Sequence, residues 1–270
     1  MFSPSVRLSQ IDMKLAPLRA GANTIAKKSA RTGNIEGALL YVRNHIVHSI
    51  QEESDSITRV YMYRVVVDHI KTWNVLNPDK IHLLICLLRE NMHLVNPMVV
   101  HLAAGSGFIT KQLADAMHKY ELPFENIATD SKEEDIANGD IVYSSVATAT
   151  ALETLAQYPS CRVFFVSRGR DFMLEVLRAL LEMHPTGALI IILATEMYGC
   201  CEPEAFFDLL DDSGFNRIRI DDGLINFPRV EVHNDECFIF HRNACVSETL
   251  LAISKDDAGD ASSDTASEDA

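Results

Sequence analysis

The chain has 270 residues, 47% hydrophobic and 23% charged, the composition of a soluble globular protein with one sizeable domain and extensions. No apolar run reaches the roughly 18–20 residues a membrane-crossing helix needs; the longest, Ile81 to Leu88, is interrupted by His82 and stops at Arg89. The net charge of −14 argues against tight binding to nucleic acid, whose phosphates an acidic body repels.

That charge is unevenly spread. Residues 1–32 carry Arg7, Lys14, Arg19, Lys27, Lys28 and Arg31 against Asp12 alone, with Ser3, Ser5, Ser9 and Ser29 among them. Such an acid-poor start reads as a flexible basic arm or an organelle-targeting segment. Residues 33–96 read as a helical layer, with helices over 37–50, 57–73 and 78–92, the last opened by Pro78 and Asp79. From residue 97 the pattern alternates between strands and helices, as in a parallel sheet wrapped by helices. Strands are expected over 98–102, 126–129, 141–143, 162–166 and 188–194, with helices at about 108–119, 147–157, 170–184 and 203–213. The fourth and fifth strands are continuous apolar runs, which predicts cover on both faces. Two further strands, 216–221 and 236–241, follow with no crossover helix between them. Domain limits are therefore set at 97–245, with an acidic tail over 246–270. Its Asp256, Asp257, Asp260, Asp264, Glu268 and Asp269 stand among Ala, Ser and Gly, a composition expected to be disordered.

The six cysteines, at 86, 161, 200, 201, 237 and 245, form no C-x-x-C pair, and most sit in apolar runs as small hydrophobes. No secretory signal precedes them, so a reducing, cytoplasmic setting is the default. No metal site is expected, and Cys200-Cys201 reads as a turn.

The most informative stretch is Val99-Val100-His101-Leu102-Ala103-Ala104-Gly105-Ser106-Gly107-Phe108. An apolar strand breaks into a small-residue turn and a helix begins at once. Gly105 and Gly107 let the backbone come close to a ligand, and the N–H groups of the new helix favour negative charge. The next strand ends at Asp130, about the spacing at which a carboxylate meets ribose hydroxyls in the Rossmann pattern. A solvated loop acid is the bland alternative for Asp130, given the charged run 131–135.

The turn at 99–107, the acid at 130 and the closing strand pair resemble class I S-adenosylmethionine-dependent methyltransferases. A narrower likeness, to a small and poorly characterised subgroup of them, runs through 146–159, the strand ending at Ser167, and Glu196 through Gly199-Cys200 to Phe206-Phe207. The resemblance implies a Rossmann-like, seven-stranded α/β sheet and S-adenosylmethionine as cofactor, with S-adenosylhomocysteine as product. It implies that Ala103, Ala104, Gly105, Ser106 and Gly107 line the methionine and ribose part. Asp130 would hold the ribose diol, and the segment from Asp140 to Val146 would lie near the adenine. Ser167 and Glu196 would face the substrate crevice as candidate catalytic residues.

Three positions depart from the family pattern. His101 stands where an acid usually orients the cofactor's amino group, although a buried histidine in such a strand is more often a core residue than a base. Ala103 replaces the first glycine and fits comfortably only at negative φ. Arg168-Gly169-Arg170 replaces the prolines that follow the fourth strand. These departures leave three readings open: a methyltransferase acting on a small molecule or protein, a catalytically degenerate methyltransferase fold serving as an interaction module, and a nucleotide-dependent oxidoreductase. The last is disfavoured by the chain's closing strands and by the lack of a Tyr-x-x-x-Lys pair.

Overall fold

The computed structural model describes residues 4–45, 69–70, 76, 78–131, 141–166, 172–194, 204–220 and 237–248. In chain order the elements are α1 (Pro4–Thr32), α2 (Glu36–His45), α3 (Pro78–Asn91), β1 (Met98–Leu102), α4 (Phe108–Lys119), β2 (Glu125–Asp130) and β3 (Ala147–Thr148). Then come α5 (Ala151–Gln157), β4 (Val163–Val166), α6 (Met173–Met183), β5 (Leu189–Ala194), α7 (Glu204–Asp212), β6 (Asn216–Ile220) and β7 (Cys237–Arg242). None of the described helices is long and apolar enough to cross a membrane.

The seven strands form one sheet in the order β3-β2-β1-β4-β5-β7-β6. The first five are parallel; β7 runs antiparallel between β5 and β6, pairing Ile191 with Phe240 and Ile218 with Ile239. This order, with its one reversed strand, is that of the Rossmann-like methyltransferase sheet. Between β1 and β4 the connections change direction, which opens a crevice at the carboxyl ends of the strands. The turn after β1 lies at that crevice.

Alternation along the strands makes two cores. In β4, Val163 and Phe165 join one cluster while Phe164 and Val166 join the other, and all four are fully buried. The first cluster includes Val99, Ile190 and Ile239, covered by α1, α3 and α4; the second includes Val100, Ile191 and Phe240, covered by α6 and α7. Every central position therefore removes apolar surface from water, worth about 1.5–3 kcal/mol for a large side chain.

Three elements differ from the sequence expectations. Residues 4–32, expected within a flexible basic arm, form a helix. Leu15, Leu18, Ala22 and Ala26 recur at three- and four-residue spacing and are buried on one face. Gly21 lets α2 approach, because a Cβ there would fall 2.2 Å from the Tyr41 Oη, and that hydroxyl donates to the Leu18 carbonyl at 3.0 Å. Second, Ile141–Tyr143 is not a strand: the Tyr143 N–H donates to the Ser106 carbonyl at 2.9 Å instead of joining a ladder. The third strand is Ala147–Thr148, paired to Thr129 and Asp130. Third, the helix expected over 147–157 starts only at Ala151, where a capping box of Thr150 and Glu153 sets its first turn. The helix expected over 37–50 is described as far as His45. The one expected over 57–73 lies outside the described residues apart from His69 and Ile70, as does the acidic segment 256–270.

Candidate functional site: the turn after the first strand

The chain leaves β1 through three left-handed residues within five: Ala103 at φ 53°, Gly105 at φ 54° and Gly107 at φ 74°. Gly107 is the N-cap of α4. Two constraints hold it as glycine: the positive φ, and a Cβ position 2.2 Å from the Ser144 Oγ and 3.0 Å from a Val146 methyl. Ala103, which fits comfortably only at negative φ, adopts a positive one. A side-chain-bearing residue in this region costs about 1–2 kcal/mol, and the surroundings hold it there.

Those surroundings are backbone hydrogen bonds. The Ala104 N–H donates to the Thr129 carbonyl at 3.0 Å, and the Gly107 N–H to the Ala104 carbonyl at 2.9 Å. The Ser144 hydroxyl donates to the Gly107 carbonyl at 3.2 Å. Beneath the turn, the buried Thr154 hydroxyl contacts the Thr129 hydroxyl at 2.9 Å and the Thr150 carbonyl at 2.8 Å. Ala104, Ser106 and Gly107 are buried; Ala103, Gly105, Asp130, Ser144 and Val146 are half-buried and form the accessible lip.

Asp130 does not point away from the turn. Its Oδ2 accepts the Gly105 N–H at 2.8 Å, a charge-assisted bond that ties the end of β2 to the glycine turn. The structure thus brings together Ala103 to Gly107, Asp130 and Val146. Ser167 and Glu196 lie outside the described residues, as do Asp140, Arg168, Arg170 and the Cys200-Cys201 pair.

His101 faces the core. It is fully buried, its Nδ1 shares a 2.6 Å hydrogen bond with the Thr110 hydroxyl, and its ring meets Phe165 edge-on at 4.6 Å. Burial pulls its pKa down to about 3, so it is neutral at physiological pH and carries no charge toward the turn. Sequence reasoning missed the tethers Tyr143, Ser144 and Thr154. Tyr143 packs edge-on against Phe108 at 4.8 Å and donates its hydroxyl to the Ile70 carbonyl at 2.9 Å; burial raises its pKa. The only sequence signal for Tyr143 and Ser144 was their place in the segment 140–146 expected near the adenine; Thr154 had none of that kind.

No family model and no curated protein matches the sequence. Among solved structures the chain is similar to a precorrin-6y C5,15-methyltransferase from Geobacter metallireducens GS-15, at 13% identity and a TM-score of 0.40, over 62% of this chain and 87% of that one. It is similar to the CMeT domain of the citrinin polyketide synthase at 13% identity and a TM-score of 0.42, over 83% of this chain and 66% of that one. A third is a 16S rRNA adenine methyltransferase from Catenulisporales acidiphilia, at 13% identity and a TM-score of 0.36, over 65% of this chain and 95% of that one. At such identities it is the strand order and the reversed β7 that identify the chain as having the Rossmann-like fold of class I methyltransferases.

Proposed function

We propose that the chain binds S-adenosylmethionine at the turn 103–107 and Asp130, and transfers its methyl group to a small molecule or protein. The single observation that carries this reading is the 2.8 Å bond from the Gly105 N–H to Asp130, which sets a strand-end carboxylate beside a turn of small residues at the crevice. A carboxylate has about four lone-pair positions, so Asp130 can hold Gly105 and accept from a diol together. When bound, the cofactor supplies an already activated methyl group. The protein's task is then to align the acceptor, and to take a proton where the acceptor carries one. Ser167 and Glu196, at the ends of the fourth and fifth strands by sequence, are the residues assigned to that task.

A second reading has its own observations. The neutral, buried His101 offers no negative charge to the amino end of the cofactor, and Ala103 puts a methyl group where the turn is tightest. Both favour a degenerate fold that works as an interaction module. The closing antiparallel pair disfavours the oxidoreductase. Calorimetric titration with S-adenosylmethionine, S-adenosylhomocysteine and NAD separates the three. Binding of the first two supports the methyltransferase, NAD alone the oxidoreductase, and none of them the module.

A further inference from the structure

The basic character of the first 32 residues acquires a definite shape in α1, Pro4–Thr32. Along α1, Leu15, Leu18, Ala22, Ala26 and Ser29 are buried, whereas Lys28 and Arg31 are exposed and Lys27 half-buried. At 100° per residue, Lys27, Lys28 and Arg31 centre on the side of the helix opposite that buried stripe. No acid occurs from residue 13 to residue 32, and the one acid of α1, Asp12, lies about four turns before Lys27. Among the described residues, no carboxylate lies within ion-pair distance of these three cations. A cationic face of this kind stands out on a chain whose net charge is −14.

The most concentrated negative charge in the same chain is the segment 256–270, with six acids and no base. It follows shortly after the last described residues, and their path has a direction. The Cys245 N–H donates to the Asn91 Oδ1 at 2.7 Å and the Ser247 N–H to the Glu90 Oε2 at 3.0 Å. Ala244 and Val246 pack against the same core cluster that contains Leu15, Leu18, Ala22 and Ala26. The chain therefore passes Glu248 on the face of the sheet that α1 covers. From there an extended chain spans up to about 25–30 Å to Asp256 and about 70–80 Å to residue 270, so the run of acids can extend further than the roughly 43 Å length of α1.

We propose that the acidic segment 256–270 docks on the exposed face of α1 formed by Lys27, Lys28 and Arg31. Each pair would be weak and hydrated. Tethering raises the effective concentration of the segment to the millimolar range, so several weak pairs act together. The contact is electrostatic and must fade as salt shortens the Debye length from about 30 Å at 0.01 M to about 3 Å at 1 M.

Carbodiimide coupling of the full chain joins carboxylates directly to touching lysines and tests this contact, with the products mapped by mass spectrometry. At low salt, peptides from 256–270 should couple to Lys27 and Lys28 at least about fivefold more than to Lys119, an exposed lysine on α4, as tethered docking requires. The excess should vanish near 1 M salt. Equal coupling to Lys119 overturns the proposal, as does an excess that survives high salt. Mixing isotopically labelled and unlabelled chains adds a second check: links found only between copies overturn docking within one chain.

Discussion

The two rims of the sheet hold their turns by opposite means. At the carboxyl ends, the turn 103–107 is made of small residues at positive φ, pinned by backbone amides and by Asp130. At the amino ends, large cationic side chains do the work. Arg162 donates to the Thr186 carbonyl at 3.0 Å, and Arg242 donates to the His184 carbonyl while lying over the Phe215 ring at 5.3 Å. Those carbonyls belong to the end of α6 and the turn into β5, where cations complement the helix dipole. Side chains fill the amino rim. Among the described residues, the turn after β1 at the carboxyl rim keeps its side chains short, which leaves backbone and the Asp130 carboxylate at the surface. Construction of the kind seen at 103–107 suits ligand binding, and that seen at Arg162 and Arg242 suits closure.

If this contrast is right, substitutions at the two rims should separate stability from binding. The largest effect should come from acid. Burial holds the His101 pKa at about 3 in the folded chain against an ordinary 6.5, so below pH 6.5 the unfolded chain takes up a proton that the folded chain refuses. Stability is then fully present above pH 6.5 and falls as pH drops toward 3, by up to about 1.4 kcal/mol per pH unit. His184 and His241, also shifted down mainly by burial, add in the same direction. Urea melts of His101→Gln across this range should show a shallower pH slope than the native chain; an unchanged slope would remove His101 from the account.

Next in size is Gly107→Ala. The left-handed φ and the collision with Ser144 together should cost roughly 2–4 kcal/mol in urea unfolding. A neutral result would mean that the 141–146 segment does not lie on the turn. At the opposite rim, Arg242→Gln should cost about 1–2 kcal/mol of stability through the lost bond to His184, and should leave ligand affinity unchanged. Loss of binding in that variant would break the separation between the rims. The smallest effect is a gain. Ala103→Gly relieves a left-handed alanine, and after the entropy cost of glycine it should stabilise by about 0.5–1 kcal/mol in the same melts.

Much of this was legible in the sequence, for particular reasons. The turn after β1 announced itself through an apolar strand, two glycines and an immediate helix, because backbone geometry demands those residues there. The central strands were visible because burial on both faces requires unbroken apolar runs. α1 was obscured because its buried stripe has only Leu15 and Leu18 as large apolar residues and continues as Ala22, Ala26 and Ser29, a faint signal among six cations. β3 was invisible because two residues, Ala147 and Thr148, become a strand only through the partner that β2 offers. Tyr143 and Ser144 escaped notice because their role lies in backbone and hydroxyl bonds to a distant turn, and no local periodicity encodes that. The conformation of Ala103 was likewise unreadable: alanine advertises negative φ, and the hydrogen bonds around it impose the reverse.

Cofactor binding at the turn after β1 should depend on Asp130, which calorimetric titration of the native chain and of Asp130→Ala with S-adenosylmethionine measures. The native chain should bind saturably and the variant should lose about 1–3 kcal/mol, the scale of hydrogen bonds to a charged group. No binding by the native chain, or equal binding by both, would contradict that dependence.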